Sequence, residues 1–414
     1  MELRESELIY DWNGSPQIDP SVRRIELDDE TLRDGLQSPS ARTPSIEEKL
    51  EILHLMHDLG IDGADIGLPA AGPHVFDDVL RIAKEIVDQK LSVVPNAAAR
   101  TVVSDIEPIV ELSQRAGIAL EVAAFIGSSP IRQFAEEWDI DRLLKLTEKA
   151  VGYATDNGLP VMYVTEDTTR AKPEDLRRLY TAAVEAGARR VCVADTVGHS
   201  TPKGAAACVR FVKAVVNATG EKVLVDWHGH RDRGLAEANA LAAAVAGADR
   251  LHGTCLGVGE RVGNTPIDLL LVNMALLGWS DRDLSRLKEY CQRVHECTGV
   301  PYPDNYPVFG FDAFRTGTGV HSAAIIKARN KGEDWLADRV YSSVPASMVG
   351  CEQIIEIGPM SGLSNVVHWL EERDVDPKDD LVQAIFARAK EADQVLDEKE
   401  LVAICAAHDA HPAG

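Results

Sequence analysis

Short apolar runs recur along the first two thirds of the chain, and longer stretches with apolar residues at helical spacing lie between them. Eight of these runs have the length and composition of strands: Arg24–Leu27, Gly63–Ile66, Ser92–Pro95, Leu120–Ile126, Val161–Thr165, Val191–Asp195, Val223–Trp227 and Leu251–Thr254. The predicted helices between them include Ser45–Leu59, Asp139–Asn157, Glu174–Ala186 and Leu235–Ala246. A strand followed by a helix eight times predicts an α/β fold, a parallel (βα)8 TIM barrel.

An open, doubly wound sheet is the structural alternative to a barrel. It does not usually need eight such units, and no GxGxxG motif follows the first predicted strand. After about Trp279 the alternation stops, and helical patterns broken by Pro301-Tyr302-Pro303 follow. We therefore predict an N-terminal extension at 1–21, a catalytic barrel at 22–280, a linker subdomain at 281–345 and a helical subdomain at 346–414. We expect no C-terminal regulatory domain.

Polar residues follow several predicted strands, at the end of a barrel where ligands gather. His228-Gly229-His230 ends the seventh strand, and an extended backbone sends both imidazoles to the same side. Asp34, after the first strand, could complete a metal site across the mouth, because imidazole and carboxylate suit Mn²⁺, Mg²⁺, Fe²⁺ or Zn²⁺. Taken alone, the two histidines could equally be exposed or hydrogen-bonded to protein.

Three further features near these residues could contribute to chemistry. Arg33 carries a permanent charge suited to a developing oxyanion, although a surface ion pair is the alternative. Gln37 could hold Asp34 or be a plain loop residue. The glycine-rich stretch 257–264 would let backbone approach a ligand, and its last residue, Asn264, could supply one more oxygen.

Composition narrows the class of protein. The 414 residues carry a formal net charge of −23, which repels nucleic acid and anionic membranes. Seven cysteines without CxxC spacing argue against a disulfide framework and a zinc ribbon. There is no apolar run long enough to span a membrane and no export signal at the N-terminus, so we predict a cytoplasmic protein.

Several motifs occur together in one order along the chain. They are DETLRDGLQ at 29–37, Glu166-Asp167 with Arg170, DTVGH at 195–199, the HxH at 228–230, and GVGERVGN at 257–264. This set resembles the DRE-TIM metallolyases, and within them most closely the alkylmalate synthases, the group of 2-isopropylmalate and homocitrate synthases. The resemblance runs from about Val22 to Ile267 and continues more weakly into 317–321 and 357–362.

The resemblance implies a condensation of acetyl-CoA, or another acyl-CoA, with a 2-oxo acid, followed by thioester hydrolysis. A divalent cation (Mg, Mn or Zn) would be held by Asp34, His228 and His230, with Asn264 as a further ligand. The implied roles of the other residues are catalysis by Arg33, Glu166 and His321, and substrate binding by Arg33, Gln37, Thr196, Arg100 and Arg132.

More specific roles also come from the resemblance. Thr196 would hold the carboxylate of the oxo acid, Arg33 would stabilise the alkoxide, and Glu166 would help to deprotonate the acetyl-CoA methyl group. His321 in this family usually reaches the barrel of a partner subunit, which implies a homodimer in which the C-terminal region contacts the partner barrel.

The sequence also departs from the alkylmalate synthases. Leu36 stands where most of them carry glutamate, and RDGLQ is also the form in hydroxymethylglutaryl-CoA lyases, so a metal-dependent carbon–carbon lyase or aldolase is the alternative function; a catalytically silent barrel is a third. Met162 replaces an arginine of homocitrate synthases, which disfavours 2-oxoglutarate. Arg132 and Arg231 indicate an extra anionic group on the oxo acid, which is a hypothesis that binding of different oxo acids can test.

Overall fold

The computed structural model describes residues 5–14 and 17–412. Parts of the predicted N-terminal extension, residues 1–4 and 15–16, lie outside the described residues, as do 413–414. The chain divides into two units: Met1–Asp283 with Glu289–Pro301, and Leu284–Lys288 with Tyr302–Gly414.

The first unit contains a closed barrel of eight parallel strands in sequence order. The strands are β1 Glu26–Asp29, β2 Gly63–Asp65, β3 Val94–Arg100, β4 Glu121–Gly127, β5 Val161–Glu166, β6 Arg190–Asp195, β7 Leu224–Gly229 and β8 Arg250–Gly253. β8 closes the barrel against β1, with Leu27 opposite Leu251. The predicted (βα)8 barrel is therefore confirmed.

Helices connect the barrel strands, and further helices precede β1 and follow β8 in the chain. Their bounds are α1 Glu5–Leu8, α2 Ile46–Asp58, α3 Pro73–Asp88, α4 Val103–Ala116, α5 Pro130–Ala135, α6 Ile140–Asp156, α7 Pro173–Glu185, α8 Pro202–Asn217, α9 Ala236–Ala246, α10 Ile267–Leu276 and α11 Leu287–Thr298. The predicted start of α2 is confirmed, because Ser45 accepts a hydrogen bond from the Glu48 N–H while the Glu48 side chain caps the Ser45 N–H.

The observed strand bounds differ from the predicted ones by one or two residues at most of their ends, and the changes at the ends of β1 and β3 alter which residues belong to the barrel wall. β1 was expected to end at Leu27 but continues through Asp28 and Asp29, because each of these carboxylates finds a buried partner, on the inside and on the outside of the barrel respectively. β3 was expected to end at Pro95 but runs to Arg100. Ala97–Ala99 are thus buried strand residues rather than a loop after the strand.

The second unit is mainly helical. It contains a two-stranded parallel sheet of β9 Arg315–Thr316 and β10 Ile354–Ile355. Its helices are α12 Gly319–Arg329, α13 Asp334–Arg339, α14 Leu363–Glu371, α15 Asp379–Glu391 and α16 Glu398–Ala407. Trp369, Leu370 and Ile385 belong to the apolar core that α14, α15 and α16 share. None of the helices within residues 5–14 and 17–412 has the length and apolar character needed to cross a bilayer.

Candidate active site

A cavity of about 260 Å³ opens where the barrel strands end. Seven residues predicted from the sequence line it together: Arg33, Asp34, Gln37, Glu166, Thr196, His228 and His230. These residues come from the ends of β1, β5, β6 and β7, which the closed barrel brings to one rim.

Asp34, His228 and His230 form the centre of this cavity. One ligand atom from each lies within 4.8 Å of the others, and all three residues belong to the group that could hold a metal ion. His230 Nε2 lies 3.7 Å from Asp34 Oδ2. The two imidazoles share one side because β7 is extended through Gly229, and their ring centroids are 5.1 Å apart.

The hydrogen bonding of these residues fits a metal site. Asp34 Oδ2, His230 Nδ1 and Asn264 Oδ1 are buried and have no hydrogen-bond partner among the described residues. A buried polar atom without a partner costs about 1–3 kcal/mol, so such atoms are retained where a ligand satisfies them. Burial and the neighbouring His228 lower the pKa of His230 to about 4, which keeps its ring in the neutral form that binds metals.

His228 is tied to the barrel interior through Glu30. Its Nδ1 lies 2.7 Å from Glu30 Oε2, and Nδ1 of His252 lies 3.0 Å from Glu30 Oε1. Burial alone would raise the pKa of Glu30, but the two histidines outweigh burial and hold that pKa well below its usual value. Burial likewise opposes the charged form of His252, whose pKa rises to about 10 because Asp28, Glu30 and Asp226 surround it.

Arg33 is held by three carboxylates at the edge of the cavity. Its Nε donates to Asp65 at 2.6 Å, Nη1 donates to Asp34 at 2.8 Å, and Nη2 donates to Glu30 at 3.4 Å. Burial opposes its charge, but these neighbours outweigh burial and raise its pKa above the usual value. Its side chain is fixed and lines the cavity, as stabilisation of a developing oxyanion requires.

Glu166 presents a carboxylate to the same cavity from the end of β5. Burial raises its pKa, while the guanidinium of Arg132, 3.0 Å away, partly opposes that effect. Arg132 also pairs with Glu136 at 3.1 Å. Glu166 is therefore a carboxylate whose proton affinity is increased, which suits a general base.

Thr196 offers a hydroxyl to the cavity from the end of β6, the strand next to β5. Its Oγ1 accepts a hydrogen bond from the Asp167 N–H at 2.8 Å, and its carbonyl accepts one from Arg261 at 2.7 Å. The bond to Oγ1 uses a lone pair only, so the hydroxyl hydrogen can still be donated to a substrate carboxylate.

Four predicted site residues lie outside the lining of this cavity. Arg100 is paired with Asp105 at 2.7 Å, and its side chain is 67% exposed. Arg132 reaches the cavity only through Glu166. Asn264 lies beside His230 in an isolated bridge, and its Nδ2 donates to the Val258 carbonyl. His321 belongs to the second unit, where its ring stacks on Tyr341 at 4.1 Å.

Three residues of the site have no role in the sequence prediction: Glu30, His252 and Asp65. Period-two alternation could have found the first two, since Glu30 follows Asp28 and His252 follows Arg250 on the inward face of their strands. Their pairing with each other carries no sequence signal.

Comparison with known proteins assigns the barrel to a family. The model of the HMGL-like family matches residues 24–294, which is more than half of the chain. The chain belongs to the HMGL-like family, the DRE-TIM metallolyases. The relationship predicted from the motifs is thereby confirmed.

Curated relatives of this family match most of the chain. A probable 2-isopropylmalate synthase of Methanopyrus kandleri is 34% identical over 89% of this chain and 70% of its own length. The homocitrate synthase AksA of the same organism is 33% identical over 91% of both chains. A putative (R)-citramalate synthase from that organism is 34% identical over 88% of this chain.

Solved structures show the same fold at lower identity. The HMG-CoA lyase of Brucella melitensis is 18% identical and superposes with a TM-score of 0.56, covering 67% of this chain and all of that one. The HMG-CoA lyase of Bacillus subtilis gives a TM-score of 0.57 at 19% identity, over 68% of this chain and 96% of that one.

Proposed function

We propose that this HMGL-like protein is a divalent-metal-dependent enzyme that condenses an acyl-CoA, acetyl-CoA in the simplest case, with a 2-oxo acid. Hydrolysis of the thioester then yields a 2-alkylmalate-type acid and free coenzyme A. The observation that carries the proposal is the pair of buried oxygens without a hydrogen-bond partner among the described residues, Asp34 Oδ2 and Asn264 Oδ1, beside His228 and His230. Arg33 and Glu166 line the same cavity as Asp34. The names of the curated relatives support the same reaction class.

Asp34, His228 and His230 would hold the cation, with Asn264 nearby. When bound, Mg²⁺, Mn²⁺ or Zn²⁺ polarises the ketone of the 2-oxo acid as a Lewis acid. Thr196 would orient the substrate by donating its hydroxyl hydrogen to the carboxylate. Gln37 lines the cavity near these groups and would contact the substrate or its bound water.

Glu166 would remove a proton from the methyl carbon of acetyl-CoA, because burial has raised the pKa of this carboxylate. The resulting carbanion forms a bond to the ketone carbon, and the electron pair of the carbonyl moves to its oxygen. Arg33, fixed by Asp65, would stabilise that alkoxide. Protonation of the alkoxide and attack of water on the thioester release coenzyme A as the thiol.

The walls of the cavity favour a 2-oxo acid with an apolar side chain. Ala98, Ala123, Met162, Val164 and Cys192 line its interior, and four of these five pack against each other. A distal carboxylate on the substrate would need a cation that the protein has not already neutralised.

The arginines around the mouth are already engaged. Arg100 pairs with Asp105, Arg132 with Glu136 and Glu166, and Arg261 with Asp232. Arg231 donates to the neutral Val262 carbonyl, and its side chain is outside the lining of the cavity. These contacts argue against an extra anionic group on the oxo acid.

A thiol-release assay tests this proposal. The purified enzyme would be given Mn²⁺, acetyl-CoA and a panel of 2-oxo acids, with pyruvate and branched aliphatic acids on one side and 2-oxoglutarate on the other. We expect thiol release with the aliphatic acids and a lower kcat/KM for 2-oxoglutarate. Cleavage of hydroxymethylglutaryl-CoA in the absence of any condensation would instead establish the lyase alternative.

Glu166→Gln tests the assignment of the base, and Glu136→Gln is its matched control. Both carboxylates pair with Arg132, but only Glu166 lines the cavity. We expect a 10²–10⁴-fold loss of kcat in E166Q, as removal of a general base produces, and little change in E136Q. Equal activity of the two variants would contradict the assignment.

We also propose the homodimer that the resemblance implies, with His321 acting at the barrel of the partner subunit. Mixing an H321A variant with a D34A variant tests this directly. If His321 acts across subunits, each variant alone is inactive and the mixture regains part of the activity. Inactive mixtures of exchanged subunits would contradict the proposal.

A further inference from the structure

Four buried side chains form one continuous chain of contacts from the barrel interior to the candidate metal site. Asp226 Oδ2 lies 3.1 Å from His252 Nε2, and His252 Nδ1 lies 3.0 Å from Glu30 Oε1. Glu30 Oε2 lies 2.7 Å from His228 Nδ1. Carboxylates and imidazoles alternate along this chain, and none of its four members is an assigned catalytic residue except the ligand His228.

We propose that Glu30 is a positioning residue, which fixes the tautomer and the ring orientation of His228 so that Nε2 faces the metal. A carboxylate oxygen can only accept, so the contact with Glu30 requires the proton on Nδ1 of His228. Nε2 of the ring is then free to bind a metal ion together with Asp34 and His230, the other two residues of the ligand group. This inference rests on the metal site of the proposed function, but not on its substrates.

Glu30 could alternatively be a ligand itself, because Glu30, His228 and His252 also lie close enough together to hold a metal ion. Their hydrogen bonds argue against that site. Both oxygens of Glu30 are engaged, one by His228 and the other by His252 and Arg33. Asp34, by contrast, retains a buried oxygen without a partner among the described residues.

This chain of contacts is anchored at Asp226, its end in the barrel interior. Asp226 accepts hydrogen bonds from Arg190 at 2.7 Å and from Arg250 at 2.8 Å, and the Arg250 guanidinium is itself held by Glu121. His252 therefore cannot rotate without breaking buried ion pairs. Rigid support of this kind keeps a metal ligand in one orientation, and its loss typically weakens metal binding by about 10–100-fold.

Glu30→Gln tests the proposal with almost no change of volume. A glutamine offers one acceptor oxygen and one donor nitrogen, so it cannot accept from both His228 and His252. The matched control is Glu26→Gln, which removes a carboxylate from the same strand at a site paired with Arg190 and not with a histidine. Manganese affinity is measured without substrates, from the free Mn²⁺ signal in paramagnetic resonance.

We expect E30Q to bind Mn²⁺ roughly 10–100-fold more weakly and E26Q to change by less than twofold. In the zinc-loaded wild type, ¹⁵N spectra of labelled histidine should show the proton of His228 on Nδ1. Unchanged affinity in folded E30Q, or a proton absent from Nδ1, would overturn the proposal. If E30Q does not fold, His252→Gln decides: weaker Mn²⁺ binding supports the role of Glu30, and wild-type affinity overturns it.

These measurements are independent of the reaction. A protein that shows the E30Q effect on Mn²⁺ but no condensation with any 2-oxo acid would retain the inference and lose the proposed function. If the protein condenses acetyl-CoA with an oxo acid but E30Q binds Mn²⁺ normally, the proposed function is retained and the inference about Glu30 is lost.

Discussion

The two ends of the barrel interior are built from the same strands but treat buried charge in opposite ways. Towards the base, Asp28, Asp226 and Glu121 are matched by Arg190 and Arg250, with contacts of 2.7–3.7 Å. At the mouth, Asp34 and His230 keep buried atoms without a partner among the described residues.

This difference separates a structural charge network from a ligand site. A buried ion is tolerated when the protein supplies its counter-charge, and the base of the barrel is complete in that sense. At the mouth, buried polar atoms of Asp34 and His230 have no partner among the described residues, and this lowers stability. Such a cost is typical of a site that binds an added ligand, here a cation. Mutations at the mouth should affect function, whereas mutations at the base should affect folding.

The largest expected effect is at the mouth. Asp34→Ala removes a proposed ligand, and we expect thiol release to fall by roughly 10⁴-fold or more because the ketone is no longer polarised. Asp105→Asn is the control, since Asp105 is also a buried carboxylate near the strand ends but pairs with Arg100 outside the cavity. The same assay on both proteins gives the result, and an active D34A would place the site elsewhere.

The second-largest expected effect is a loss of stability at the base of the barrel. Asp226→Asn leaves Arg250 and Arg190 short of a buried counter-charge, which we expect to cost roughly 3–5 kcal/mol of unfolding free energy in urea titrations. D34A should lose far less stability, because Asp34 Oδ2 has no hydrogen-bond partner among the described residues, and Arg33, which loses its bond to Oδ1, keeps Asp65 and Glu30. Comparable losses in the two variants would break the distinction between mouth and base.

A pH effect is expected outside the barrel wall, where Asp29 is buried. Burial raises the pKa of Asp29 to about 7, although hydrogen bonds from Thr31 and Tyr290 oppose the shift. The native state therefore favours the protonated acid, and this stabilisation is present below the unfolded value near 4 and is lost as pH rises towards 7.

Asp29→Asn isolates this effect, because the amide does not titrate. Between pH 4 and pH 8 the wild type should lose roughly 2–4 kcal/mol of unfolding free energy relative to D29N. Urea unfolding of both proteins across this range measures it. Parallel stability curves would show that Asp29 is ionised in the native protein without cost.

The smallest effect concerns Arg132, which reaches the cavity only through Glu166. Arg132→Met removes a neighbour that lowers the pKa of Glu166, so the acidic limb of the kcat/KM profile should move to higher pH. KM for the oxo acid should change little. A large rise in that KM with an unmoved pH profile would instead make Arg132 a direct substrate ligand, as predicted from the resemblance.

The sequence by itself determined the barrel and most of its rim. Period-two and helical patterns located all eight strands, because burial imposes those periods wherever a strand or helix packs on one core. The HxH motif specified which way two ligands face, since alternation along one strand is a local property. The ordered motifs specified the family for the same reason, as each is contiguous in the chain.

Only the tertiary structure decided which charges are already neutralised. Glu30 meets His228 across 198 residues and His252 across 222, and no local pattern encodes such pairs. The extension of β1 through Asp28 and Asp29 depended on partners as distant as Arg250 and Tyr290. The arginines taken as substrate ligands proved to be paired with nearby carboxylates, because electrostatic compensation depends on distance in space rather than along the chain.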